Sequence, residues 1–327
     1  MNRIAATAFH TGDDRVAPQG EDHCAILLGL FNGARDLSEQ LLSFSDQTHT
    51  DWSLIVSDDG STDAGCEMLR RFAEAHPERD IRLVEGPGRG FAANFLSLFD
   101  RIGPEARFAA LSDQDDRWLP GKLRHGIAQL QTVGDDRPAL YCGRTIICDA
   151  ALRPLRRSPH FKLPPGFAHA LVQNIAGGNT MVLNRRAIEL VRASIGRVGP
   201  LPAHDWWIYQ LVTAAGGVVL YDREPMVLYR QHVRNLIGAS DGFSAQMTRL
   251  RGLLSGRFAV WNGQNLAALR AMDHCITPQN RAVLAHFSTA REGRPAERLR
   301  ALAKSGVYRQ TRKGTIALWL AAALKRL

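Results

Sequence analysis

The sequence predicts an α/β protein: a mostly parallel sheet flanked by helices, with a basic helical extension at its C-terminal end. Three observations predict it. Short apolar runs of strand length alternate with segments of helical period over the first two-thirds of the chain. Polar clusters follow the strands and never precede them. The excess positive charge sits in the last quarter. From Phe243 to Leu327 fifteen basic residues face three acidic ones, a balance of +12; the remainder holds twenty-six against twenty-nine, a balance of −3.

Taken in order, Cys24–Phe31 is the first apolar run of strand length. Leu37, Leu41, Leu42 and Phe44 then share or adjoin one helical face. Trp52–Ser57 is a second strand and Cys66–Ala75 a helix. "DIRLVEG" (80–86) is a third strand, and "GFAANFLSLF" (90–99) a helix opened by glycines. "RFAALS" (107–112) is a fourth strand, followed by a helix from Lys122 to Gln131. This alternation implies a parallel sheet covered on both faces. "ALYCGRTIICD" (139–149) reads as one or two strands, and 153–166 as a Pro- and Arg-rich loop. "NTMVLNR" (179–185) is strand-like, with a helix from Ala187. "HDWWIYQLVTAAG" (204–216) is an apolar helix with an acid at its start. Residues 217–232 read as strand, turn and strand, and from about Gly242 the pattern is basic and helical.

Size and composition bound the rest. The 327 residues are 45% hydrophobic and 22% charged, enough for one large domain with an appendage or for two modest ones. The expected division is a flexible segment 1–23, a catalytic-type domain 24–240 and a basic helical region 241–327. Cys24, Cys66, Cys142, Cys148 and Cys275 form no CxxC pair, which argues against a disulfide framework or a zinc site and suits a reducing cytoplasm. Residues 1–23 are polar, without the apolar centre of a signal peptide. The longest late apolar run, Ile316–Leu324, is too short to span a bilayer.

The clusters after the strands are "FNGARD", "DDGSTD", "GPGRG" and "DQDD". Ligands of open α/β sheets bind beyond the carboxyl ends of the strands, so four such clusters converge on one crevice. Asp113 and Asp115 lie two apart, and in an extended or turn segment they point the same way. Two such carboxylates repel each other unless a cation neutralises them. Mg2+ or Mn2+ takes one or two carboxylates plus substrate phosphates; the alternative is a capped turn before Trp118. Asp58 and Asp59 can accept from a base or a ribose hydroxyl, while Ser61 or Asp63 caps the next helix. "GPGRG" lets backbone approach a phosphate, with Arg89 adding charge. Asp205 is either a dipole-stabilising cap or, between aromatics, a general base of raised pKa. His232 in "LYRQHVRN" is a metal or phosphate ligand, or structural.

In order, these blocks resemble family 2 of the inverting glycosyltransferases, a family of Rossmann-like GT-A fold that contains bacterial rhamnosyltransferases. The resemblance covers Cys24 to Asn235. It rests on "LLGLFNGARDLSEQLLSFSDQTHTDWSLIVSDDGSTD", "SDQDDRW", "NIAGGNTMVLNR", "HDWW" and "LYRQHVRN". It implies that Asp58 and Asp59 hold the nucleotide base and ribose, with Asn32 and Arg89 also on the donor. Asp115 would be the more direct metal ligand, with Asp113 nearer the ribose. His232 would approach the metal or diphosphate. Asp205 would be the catalytic base, and Asn179 and Trp206 would line the acceptor pocket. "LFN" stands where "TYN" is commoner, and "GPGRGFAANF" is a shortened form of its block. The same resemblance points to dTDP-rhamnose first, then UDP-galactose or UDP-glucose, as donor.

The acceptor is expected to be a surface glycan or lipid-linked glycan. The basic tail and "GTIALWLAAALKRL" suit a peripheral contact with anionic membrane on the inner face of the plasma membrane, or else packing on the domain or a homodimer contact. Two other functions compete. A sugar-phosphate nucleotidyltransferase needs a basic, glycine-rich grip after the first strand, where only Arg35 stands. A non-enzymatic nucleic-acid binder leaves the acidic clusters unexplained, since they repel phosphate without a cation; no nucleic acid is therefore expected as a partner.

Overall fold

The computed structural model describes residues 9–10, 20–231 and 256–327. Its longer strands form where the apolar runs predict. β1 (Phe9–His10), β2 (Cys24–Leu30), β3 (Trp52–Asp58), β4 (Ile81–Glu85) and β5 (Phe108–Ser112) lie in one sheet with β7 (Ala139–Gly143), β10 (Val182–Asn184) and β11 (Val218–Asp222). Their spatial order is β1-β4-β3-β2-β5-β10-β7-β11. β4, β3, β2 and β5 are mutually parallel. β1 is antiparallel to β4, and β10 is antiparallel to both β5 and β7, while β11 runs parallel to β7. A smaller sheet has the order β6 (Arg117–Trp118), β12 (Val227–Arg230), β8 (Ile146–Cys148) and β9 (Pro154–Arg157).

Strand alternation sorts the core into two layers. Ile26, Leu28, Leu54 and Val56 face α1 (Leu37–Ser45), α2 (Gly65–Ala75) and α4 (Lys122–Gln131). Ala25, Leu27, Ile55 and Leu111 face α3 (Phe91–Phe99), α5 (Phe167–Ala170), α6 (Arg185–Ser194) and α7 (His204–Ala214). The second layer continues into the C-terminal helices. Leu266 and Leu269 of α8 (Arg257–Ala271), Phe287 of α9 (Pro278–Glu292), Leu302 of α10 (Pro295–Ser305) and Leu318 of α11 (Arg312–Ala323) join the same core cluster. The basic tail therefore has an apolar inner face built onto the domain. Among the described residues no helix is long and apolar enough to cross a membrane.

Three sequence expectations change in detail. The stretch 153–166 contains strand β9, paired antiparallel with β8, where a loop was expected; Pro154 is tolerated because β9 is an edge strand. The strand–turn–strand at 217–232 divides between the two sheets, β11 pairing with β7 and β12 with β6 and β8. The N-terminal segment is tied down at two described places. Phe9–His10 pair with β4, and the buried His23 ring bonds Asp51 at 2.7 Å and Ser53 at 3.0 Å.

Candidate active site

The register sets the strand ends level. Leu30 is opposite Asp58, Asp58 is opposite Glu85, and Leu28 is opposite Ser112. Because β10 is antiparallel to its neighbours, its leading residues Asn179–Met181 arrive at the same edge. The loops after β2, β3, β4 and β5 thus meet the turn before β10, as the polar clusters require.

On the β4 side, Asp59 organises the glycine loop. Its carboxylate accepts the Gly88 N–H at 2.6 Å and the Gly90 N–H at 2.9 Å. Gly88 and Gly90 take left-handed φ of 63° and 85°, which favour glycine, and the exposed Arg89 stands between them. Asp58 is buried and its carboxylate accepts the Ser61 N–H at 3.1 Å, closing the turn. A Cβ at Gly86 would meet Asn94 Oδ1 at 2.6 Å and Asp58 O at 2.8 Å, so the loop passes close to the strand. The Asn94 amide donates to Ser57 O at 2.9 Å. Asn32 adopts φ 49°, and its Oδ1 accepts the Thr62 N–H at 2.8 Å, joining the loops after β2 and β3.

Gln114, between the two motif aspartates, bridges in the same way. Its Oε1 accepts the Phe31 N–H at 2.8 Å and its Nε2 donates to Phe31 O at 3.1 Å. The loop after β5 is thereby clamped to the loop after β2.

Asp113, Asp115, Asp116 and Asp205 form the electrostatic centre. Burial first, then the neighbouring charges of Asp115 and Asp205, push the Asp113 carboxyl up to about 7. Burial pushes Asp205 up to about 6, against the Trp206 N–H at 2.6 Å and the Gly178 N–H at 3.3 Å that favour its charged form. Asp116 is fully buried and raised by burial and by Asp113 and Asp115. It accepts the Asn179 amide at 2.5 Å and the Arg230 N–H at 3.2 Å. Arg230, only 3% exposed, gives Nε to Asp115 O at 2.9 Å and pairs with Glu39 and with Asp36 at 3.5 Å. Lys122 is fully buried with its Nζ 3.3 Å from the Trp118 ring centroid; burial lowers it to about 7, against the pull of Asp116 and Asp113. His204 stacks on Phe95 at 4.0 Å, and burial lowers it to about 3, so it is neutral.

The predicted residues therefore divide by position. Asp113, Asp115 and Asp205 share one centre, while Asn32, Asp58, Asp59 and Arg89 lie on the loops beside it. Asn179 serves this centre through Asp116. Trp206 is buried, donates Nε1 to Ala170 O at 2.7 Å and faces Phe258 and Trp261 of α8. His232 lies outside the described residues. Among the described residues no three His, Cys, Asp or Glu side chains converge as metal ligands. The carboxylate pair fits a divalent cation that draws its other ligands from a substrate diphosphate, and the crowding that raises Asp113 is the charge such a cation neutralises. Gln114, Arg230 and Lys122 escaped the sequence reading. The first two work through partners distant in sequence, and Lys122 opens a helix like any solvated lysine.

A mostly parallel sheet of this order, its strand-end loops level and acidic at their centre, is the GT-A fold of glycosyltransferases. The chain belongs to Glycosyl transferase family 2, whose profile matches residues 26–189. The dTDP-rhamnosyl transferase RfbG of Shigella flexneri is 27% identical over 264 residues, covering 77% of this chain and 87% of its own. The putative teichuronic acid biosynthesis glycosyltransferase TuaG of Bacillus subtilis is 30% identical over 156 residues, 46% of this chain and 58% of its own. Among solved structures, a mannosyltransferase of Pyrobaculum calidifontis in complex with GDP-Man and Mn2+ superposes with a TM-score of 0.53 at 18% identity, over 94% of this chain and 82% of that one. TarS 1–349 of S. aureus with UDP-GlcNAc gives 0.53 at 14%, over 93% and 88%. These two show the fold.

Proposed function

We propose that the protein is a metal-dependent, inverting glycosyltransferase. It moves rhamnose from dTDP-rhamnose to a hydroxyl of a surface or lipid-linked glycan, with Asp205 as the base. One observation carries this reading: the half-buried Asp205 carboxylate accepts the Gly178 N–H at 3.3 Å, while the next residue, Asn179, donates to Asp116 of the carboxylate motif at 2.5 Å. A proton acceptor and a donor-side carboxylate therefore share one cleft. The likeness to the Shigella dTDP-rhamnosyl transferase supports the sugar.

Residues of this chain do the following work. Asp59, Gly88, Arg89 and Asn32 hold the nucleotide half. Asp113 and Asp115 would hold Mg2+ or Mn2+, which when bound offsets charge on the departing diphosphate. Asp205 is oriented by the Gly178 and Trp206 N–H groups and takes the proton of the acceptor hydroxyl. Attack from the face opposite the departing diphosphate inverts the anomeric centre. The raised Asp205 pKa makes it a better base than an ordinary carboxylate while leaving it ionised at neutral pH.

The protein works in the cytoplasm at the inner face of the plasma membrane. Ile316, Trp319, Leu320 and Leu324 fall on the outer side of α11 and its end, the three aliphatic ones about 60% exposed. Arg309, Arg312, Lys313, Lys325 and Arg326 flank them, and residues 309–327 contain no acid. That combination suits an anionic lipid interface. It disfavours a homodimer through this face, which would bring like charges together.

The test is transfer by Asp205→Asn. The variant should bind donor as wild type does and lose about 10²–10⁴-fold in kcat. Wild-type turnover would remove Asp205 from the role.

A further inference from the structure

A second cluster of charge, of opposite sign, stands at the far end of the same strand edge. Arg144 directly follows β7 and Arg223 directly follows β11. Since β10 is antiparallel to β5 and to β7, and β11 is parallel to β7, both strands end at the edge where Asp113 lies. With strands about 4.8 Å apart, the ends of β7 and β11 lie roughly 10 and 14 Å along the sheet from the end of β5. The donor loops occupy the opposite side, over β4, β3 and β2. Arg144 lies close to Thr180, the neighbour of Asn179.

The chain from Ser158 to Lys162 closes over this corner. Arg144 donates Nε to Ser158 O at 2.8 Å, and the Thr145 N–H bonds Ser158 Oγ at 3.0 Å. The Phe161 N–H donates to the Tyr221 hydroxyl at 3.3 Å, and His160 stacks on Tyr221 with centroids 6.1 Å apart at 11°. These contacts set Arg144, next to Thr145, and Arg223, two residues beyond Tyr221, at the same corner as His160 and Lys162. The His160 Nδ1 is buried without a hydrogen-bond partner among the described residues. After burial, those three charges are what hold the imidazole below its ordinary value. Lys162 and Arg223 are exposed and make no ion pair among the described residues. The neighbouring acids are engaged elsewhere: Asp222 with His125 at 2.5 Å and Tyr141 at 3.1 Å, and Glu224 with Arg157 at 3.7 Å.

We infer that Arg144, Lys162 and Arg223, with the His160 imidazole, form a phosphoryl-group site on the acceptor side of the cleft. It takes the phosphate or diphosphate that joins a glycan to its lipid carrier. Cations gathered at one corner repel one another until an oxyanion of high charge lies between them, and guanidinium and ammonium groups pair with phosphoryl oxygens. The site deepens the acceptor assignment above and rests on it. It places the anionic end of the acceptor on the β7–β11 side, so that the glycan reaches back toward Asp205.

The test is calorimetry on the full chain in chelator, where the donor-side carboxylates repel anions. Inorganic pyrophosphate and farnesyl diphosphate are the probes. Both should bind wild type, compete with each other, bind Asp115→Ala equally, and bind Lys162→Gln/Arg223→Gln about tenfold more weakly, the loss expected of two charge-assisted contacts. Arg144 is kept because it holds Ser158. Undiminished binding by the double variant, weakened binding by Asp115→Ala, no binding by wild type, or binding of pyrophosphate alone would each overturn the site. Nucleotide-sugar binding with Mn2+, measured on the same samples, should be equal in wild type and double variant. Its absence from wild type would defeat the proposed function, while the pyrophosphate titrations would still decide whether the anion site exists.

Discussion

The Asn179 side-chain amide donates to the buried Asp116 carboxylate at 2.5 Å, joining the turn before β10 to the loop after β5. Asn179→Ala leaves Asp116 with the Arg230 N–H and takes away its side-chain donor. The expected loss is about 1–3 kcal/mol of stability, the cost of an unsatisfied buried acceptor, read by urea denaturation. A variant as stable as wild type would show that Asp116 is satisfied without it.

Gln114 and Gly33 form one device. A Cβ at Gly33 would stand 2.4 Å from Gln114 Oε1, so alanine there must displace the amide from Phe31. Gln114→Ala and Gly33→Ala should each raise the donor KM about tenfold, the worth of one or two hydrogen bonds, with a smaller change in kcat. The double variant should be no worse than either single one. Additive losses would separate the two residues.

The acidic centre makes metal-free stability depend on pH. Folding raises Asp113 to about 7 and Asp205 to about 6 from an ordinary 3.8. Across that window the folded chain keeps protons that the unfolded chain has released, so stability falls as pH rises. Lys122 has the opposite sign. Lowered from 10.5 to about 7, it has shed a proton that the unfolded chain retains, so above about 7 stability climbs again. Melting temperature in chelator should pass through a minimum close to neutrality, and Mn2+ should flatten the acid-side slope. A profile without a minimum would contradict these shifts.

The outer face of α11 supports a fourth prediction. Wild type should sediment with vesicles containing anionic phosphatidylglycerol and be released by salt. Trp319→Glu/Leu320→Glu should stay in the supernatant with its fold intact. Loss of a dimer in that variant, with no vesicle binding by wild type, would assign the face to a second copy.

The sheet and the acidic half of the site were legible because one local signal marks both: an apolar run ending in carboxylates, as at Leu111–Asp113 or Val56–Asp59. The supports were not legible, because their causes are distant. Arg230 reaches Glu39 across 191 residues and Gln114 reaches Phe31 across 83. Nothing beside either residue in the sequence marks those pairings. The family resemblance implies an acceptor role for Trp206, the neighbour of Asp205. On a helix buried nearly all round, the next residue turns about 100° away, and here it meets Ala170 and α8.

The central claim is that the strand-end carboxylates are compatible with a sugar diphosphate only when a cation lies between them. Titration calorimetry of dTDP-rhamnose into wild type and Asp115→Ala, with Mn2+ and with chelator, tests it most directly. The account predicts binding by wild type with Mn2+, and none in chelator or by the variant. Equal affinity with and without the metal, or in the variant, would contradict it.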